Sequence, residues 1–165
     1  MTITENNTLE MKNVVSFRGK VTQQKMEEVM RNFENLIQEN KACKTGPTVT
    51  VTYAVENEFG QSVMDIEVLI PLDKKIATYS DFKFKPLFRL NNAVKIRHEG
   101  NPAMLQNSAN ELMQYINSHD LMPITAGYNV TVREPASQND VDNMIVDMYV
   151  CLLYTSPSPR DVEES

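Results

Sequence analysis

The sequence predicts an α+β protein: two β-α-β-β units that join in one antiparallel sheet, with two long helices on one face and a pseudo-twofold axis between the halves. Three observations lead there. The chain repeats itself, because Val14 to Ile37 has a counterpart in Ala93 to Ile116; Arg18 maps to Arg97, Ile37 to Ile116 and Val51 to Val130, each at an offset of 79. Met64 to Leu72 maps to Met144 to Leu152 at an offset of 80, which pairs Glu67 with Asp147. Next, Met26, Val29, Met30, Phe33, Leu36 and Ile37 recur at the spacing of one helix face. Last, β-branched and alternating runs flank that helix and its counterpart, and each half then reads as one helix among three strands.

The elements follow in order. Residues 1–12 are polar and lack an apolar period, so a flexible lead-in is expected. Val14, Val15 and Phe17 begin a strand, and Thr22 is placed to cap the first helix with its hydroxyl. Gly46-Pro47 ends helical structure and starts the β-branched run from Thr48. Asn57-Glu58-Phe59-Gly60 reads as a hairpin, returning through Val63 to Leu72. Repeat 1 thus covers about 13–72, a linker 73–84, and repeat 2 about 85–152.

The second unit repeats the plan. A strand runs to Arg97, and Pro86 to Leu90 is a candidate backward extension of it. Asn101 is the next cap, with Pro102 in the first turn. Leu105, Leu112, Met113 and Ile116 form the buried helix face; Met26, Met30, Met104 and Met113 read mostly as core filler. Tyr128 to Val132 and Met144 to Leu152 supply two strands around the polar, mobile loop Pro135 to Asp142. The tail beyond Leu152 has no partner in the first half. Its LLYTSPSPRD stretch resembles a peptide produced when sequencing-adapter sequence is translated, so residues 153–165 are expected to be non-native or disordered.

Bulk properties narrow the function. A length of 165 residues, 41% hydrophobic and 23% charged, suits one soluble domain over residues 13–152. A net charge of −6 argues against direct nucleic-acid binding, which needs clustered Lys and Arg. No apolar stretch reaches the roughly 20 residues of a membrane span. No basic-then-apolar leader is present, and the expected location is the cytoplasm. Two cysteines, Cys43 and Cys151, make neither a disulfide framework nor a metal cluster and are expected to be small semi-buried residues. His98 and His119 each have one adjacent acid and no ligand partner at metal spacing; no metal or cofactor is expected.

The candidate site comes from the repeat itself, since equivalent residues of the two halves meet at a pseudo-axis groove. Glu67 and Asp147 are its acids, each in an alternating strand where a half-buried carboxylate needs a partner. Arg18 and Arg97, also equivalent, are placed to hold an anionic ligand or to neutralise those acids. Tyr53, Tyr128 and Tyr149 are candidate stacking walls. The structural alternative is that the acids face solvent or pair with Arg18, Arg97 or Lys95, and that the tyrosines pack across strands.

Ala93-Val94-Lys95-Ile96-Arg97-His98-Glu99-Gly100 resembles the strand-to-helix passage of the GyrI-like superfamily, which includes the effector-binding domains of bacterial multidrug-responsive activators. Gly127-Tyr128-Asn129 is similar to that family's third strand, and the resemblance spans about residues 13–152. It implies a groove acid on the last strand meeting cationic aromatic ligands, here Asp147 with Glu67 as its mate. Two departures weaken multidrug-type binding: the acid is Asp rather than Glu, and there is no Trp. The chain also resembles a stand-alone Gram-positive bacterial branch of the fold. The function expected is a non-catalytic module that takes a small organic molecule in the groove. The alternatives are an inhibitor that binds a protein partner, gyrase-inhibitor-like or accessory to a secretion or toxin locus, and a hydrolase of reactive small molecules using Glu67 or Asp147 with Tyr149.

Overall fold

Among the described residues the apolar periodicities resolve into six strands and two main helices. The computed structural model describes residues 2–134 and 138–153. Its elements are β1 (Ile3–Val21), α1 (Gln23–Glu39), β2 (Val49–Glu58), β3 (Gln61–Pro71), β4 (Phe82–Glu99), α2 (Leu105–Ser118), β5 (Tyr128–Arg133) and β6 (Ile145–Cys151), with 3-10 turns at Pro102–Met104 and Gln138–Asn143. Thr22 caps α1, its hydroxyl accepting from Lys25 N–H at 3.2 Å, while Asn101 caps the turn that leads into α2. Each cap satisfies an amide that the first turn leaves without a carbonyl.

All neighbouring strands are antiparallel, and their order β1-β3-β2-β5-β6-β4 closes on itself as a barrel. The expected sheet with both helices on one face is therefore present, and closure makes that face the outer one. Val29, Phe33 and Leu36 of α1 bury against Val15, Phe17, Ile66, Val68 and Ile70; Leu112 and Ile116 of α2 bury against Val94, Ile96, Met148 and Val150. Strand alternation sends the intervening residues inward. Val14, Val49, Val51, Leu69, Ala93, Val130, Tyr149 and Cys151 make a third cluster with no helical member, drawn from both halves.

The halves match bond for bond. Leu72 N–H donates to Asn13 O and Leu152 N–H to Asn92 O; Thr45 N–H donates to Pro71 O and Ile124 N–H to Cys151 O. Asn13 and Asn92 both take positive φ, as do Lys41 and Asp120 where the helices end. Each of these pairs is separated by the sequence offset.

Several expectations change. From Ile3 onward the supposed flexible lead-in is strand, paired antiparallel with β4 from Ile3↔Ile96 to Lys12↔Leu87, with register shifts between Thr4 and Asn7 and between Asn7 and Leu9. Its apolar period is hidden because Asn6 and Asn13, at φ 60° and 55°, break the alternation that brings Leu9 and Met11 to the core. Met104 and Met113 are exposed rather than filling the core, and Ser108 takes the buried place on α2. Cys43 is exposed, while Cys151 is buried. The backward extension of β4 through Pro86 is present. Of the proposed mobile loop, 138–143 is a 3-10 turn and 135–137 lie outside the described residues, as does the proposed tail from 154 onward.

Candidate functional site

Strand pairing fixes which predicted residues share a face. Reading across the sheet, Lys95 lies opposite Tyr149, Tyr149 opposite Tyr128, Tyr128 opposite Val51, Val51 opposite Glu67 and Glu67 opposite Arg18. Directly opposed residues point to the same side. Here that side is inward, because Tyr149 and Val51 belong to the inner cluster. The equivalent row in reverse is Arg97, Asp147, Val130, Val49, Leu69 and Ser16. All seven candidate residues therefore face inward, and Tyr53 joins them by a particular device. The register of β2 against β3 slips between Thr52 and Ala54, so Tyr53 is the extra residue of a bulge, a feature that re-aims a side chain. β5 slips at the equivalent place, between Thr131 and Arg133, but carries Val132 there.

The two acids sit in unlike surroundings. Asp147 is 4% exposed, and Arg97 meets it with two parallel bonds, Nε to Oδ1 at 2.8 Å and Nη2 to Oδ2 at 3.0 Å. Lys95 Nζ stands 4.0 Å from Oδ2. Glu67 accepts from the Tyr53 hydroxyl at 2.8 Å and from Lys85 Nζ at 2.9 Å. Arg18, although opposite Glu67 in register, instead forks onto Asp65 at 3.1 and 3.2 Å and lies 3.7 Å above the Tyr53 ring. The difference has a simple origin: Asp65 corresponds to Ile145 in the second half, so Arg97 has no carboxylate at that diagonal position.

The charges and rings act on one another. The hydrogen bond from Arg18 holds the Asp65 carboxyl below its usual range, and the fork onto Asp147 raises the Arg97 guanidinium further. Burial pushes Tyr53 well above an ordinary phenol, reinforced by the bond to Glu67 and its charge. Burial also raises Tyr128 and Tyr149, with Tyr53 offsetting part of the rise at Tyr128 and Asp147 adding to it at Tyr149. These rings consequently stay protonated donors at neutral pH. Phe88 tilts against Tyr128 with centroids 5.7 Å apart, and Lys95 stands over the Tyr149 ring at 5.8 Å.

Val14, Val49, Val51, Leu69, Ala93 and Val130 form an apolar cluster on this inward side, and the acids Glu67 and Asp147 are not in solvent. Sequence reasoning missed Lys85 and Phe88 as members of this face. Lys85 corresponds to Asn6, so the repeat gave no signal for it, whereas period-two reading back from Leu90 reaches Phe88. His98 is a structural residue: it is 3% exposed, with Nδ1 2.7 Å from the Ser108 hydroxyl and Nε2 3.0 Å from Asn101 O. Among the described residues no group of three or more His, Cys, Asp or Glu is placed to hold a metal ion, and no helix is long and apolar enough to cross a membrane.

Neither a family model nor a curated protein matches the sequence. Solved structures match the fold. The C-terminal domain of EcmrR aligns with a TM-score of 0.68 at 12% identity, covering 94% of this chain and 100% of that domain. EcmrR in its DNA complex gives 0.71 at 15% identity over 93% of this chain, which spans 58% of the EcmrR chain. A hydrolase encoded by lin2189 from Listeria innocua gives 0.58 at 12% identity, covering 92% and 91% of the two chains. At these identities the likeness is one of fold.

Proposed function

We propose that this chain is a small-molecule-binding module of the effector-binding, GyrI-like kind, internally duplicated, with its site on the inward row from Lys95 to Arg18. The observation that carries the reading is the row itself: Tyr149, Tyr128 and Glu67 from both halves share one face with a cation at each end, and Tyr53 on its bulge and Asp147 of the equivalent row join them there. Half-buried charge is costly unless paired, and pairing alone would not call for the aromatic rings between the charges. Rings flanked by fixed charges make a surface that orients a planar organic molecule. Arg18, Lys85 and Arg97 keep side chains 53%, 38% and 43% exposed, which leaves the rim of this face open to solvent. The shared fold of the EcmrR C-terminal domain supports the reading.

The test is a thermal-shift screen with aromatic compounds of each charge. A ligand of the folded state raises Tm in proportion to its occupancy. The expected result is a rise that disappears in Tyr128→Ala and shrinks in Glu67→Gln. A screen in which no compound raises Tm, or one in which the rise survives both changes, overturns the reading.

One observation favours a hydrolytic second reading. The Tyr53 hydroxyl donates to Glu67 at 2.8 Å, a coupled proton donor and carboxylate of the type used in general acid–base work. The predicted pairing of Glu67 or Asp147 with Tyr149 is replaced here by Glu67 with Tyr53. Turnover of a reactive small molecule that is lost in both Tyr53→Phe and Glu67→Gln would establish it.

A further inference from the structure

The charge inventory of the inward face singles out one kind of ligand. The row acids Glu67 and Asp147, and Asp65 beside Glu67, have all six carboxylate oxygens already accepting a bond from the chain. Both oxygens of Asp65 accept from Arg18 and both of Asp147 from Arg97; those of Glu67 accept from Tyr53 and Lys85. A cationic ligand would have to share carboxylate oxygens already bonded to a guanidinium, phenol or ammonium, and would be repelled by the cations that hold them. Among the described residues, the cations within 4.0 Å of these acids are Arg18, Lys85, Lys95 and Arg97. Three are satisfied by the three acids, and Lys95 is the surplus. Its ammonium approaches Asp147 only to 4.0 Å, outside hydrogen-bonding distance, and its side chain is 25% exposed. In the first half the equivalent place holds Ser16, so this surplus exists on one side only.

We infer that the ligand of this face is a planar aromatic anion, its ring set against Tyr128 and Tyr149 and its carboxylate, or a group of like charge, held by Lys95. The inference rests on the small-molecule reading above and adds the ligand's charge and its anchor. Lys95 stands over the ring of Tyr149, opposite Tyr128 across the β5–β6 pair, so one molecule reaches both features. An anion there forms a charge-assisted bond without displacing any existing pair. Lys95 and Arg97 against Asp147 leave one positive charge at this end of the row, on a chain whose net charge is −6.

Three probes of one shape separate the outcomes: 2-naphthoate, 2-naphthylmethylammonium and neutral 2-naphthalenemethanol, each titrated calorimetrically against the full chain. The expected result is that naphthoate binds about tenfold or more tighter than the ammonium probe. Lys95→Met should remove roughly tenfold of the naphthoate affinity while leaving the neutral probe unchanged, and Lys95→Arg should restore it. Naphthoate affinity should also fall as salt rises. If the ammonium probe binds as tightly as naphthoate and its binding is lost in Tyr128→Ala, the anion assignment is overturned and the small-molecule site stands. If naphthoate binding is indifferent to Lys95→Met, the anchor is overturned. If no probe binds, the small-molecule reading falls, and the assignment with it.

Discussion

Thr50 lies directly opposite Asn129, its own equivalent in the second half, across the β2–β5 seam. On the far side of the barrel Glu10 faces its equivalent, Arg89, across the β1–β4 seam, and the two form an ion pair at 3.8 Å. The pseudo-axis therefore passes through both seams and crosses the barrel interior. The site rows flank that line, and their differences from each other, Tyr128 against Val49 and Tyr149 against Leu69, decide where a ring can stack.

Arg97 and Asp147 should respond unequally to substitution. Asp147 has a side chain 5% exposed, against 43% for Arg97. Arg97→Met strands a buried carboxylate with only Lys95 nearby and should destabilise by about 2–3 kcal/mol. Asp147→Asn frees a guanidinium that can turn to water and should cost only about 1 kcal/mol. Urea denaturation of the two variants checks the order; equal losses would mean that the carboxylate is better solvated than its burial implies.

Alkaline pH should weaken the fold through the tyrosines. Burial raises Tyr53, Tyr128 and Tyr149 above the unfolded phenol value near 10. Above that pH the unfolded chain releases protons that the folded chain retains, so stability is complete below about pH 10 and falls as pH climbs toward the folded values. Denaturation at pH 8 and pH 11 should show the loss, and Tyr→Phe at positions 53 and 128 should blunt it. Absorbance at 295 nm should show these rings ionising late in the native protein.

Much of this was legible in the sequence because the repeat constrains long-range pairing. An offset shared by Arg18/Arg97 and Val51/Val130 implied that two like units face each other. Barrel closure was not legible, since it depends on β1 reaching β4, and the polar residues of that stretch conceal a strand whose period is broken at Asn6 and Asn13. The symmetry argument brought both acids to the inward face but did not give their partners. Arg18 turned to Asp65 rather than Glu67 because a diagonal neighbour lies within the reach of a long side chain. Bulges shift register locally, so the inward aim of Tyr53 had no period-two signal.

His98 should behave as a latch between β4 and α2. A carbonyl can only accept, so Nε2 carries the proton donated to Asn101 O and Nδ1 accepts from Ser108. His98→Ala opens a cavity and strips the buried Ser108 hydroxyl of this contact, costing about 2–4 kcal/mol. Ser108→Ala alone should cost about 1 kcal/mol, and the double variant less than the sum. Long-range nitrogen–proton NMR should report the Nε2–H tautomer.

Phe59 marks a place where the fold is easily improved. It and Gly60 form the two-residue turn between β2 and β3, with φ of 50° and 79°, the signs of a type I′ turn. Glycine adopts this backbone freely, but an aromatic residue does so at a cost, whereas asparagine tolerates it well. The Phe59 ring is fully exposed, so removing it forfeits no packing. Phe59→Asn should therefore raise stability by about 0.5–1 kcal/mol with the denaturant slope unchanged. Gly60→Ala should do the reverse, by about 1 kcal/mol, because the added Cβ meets a left-handed backbone even though nothing lies within 4 Å of it. An unchanged or lowered midpoint for Phe59→Asn would show that the ring stabilises the hairpin through a contact absent from this structure.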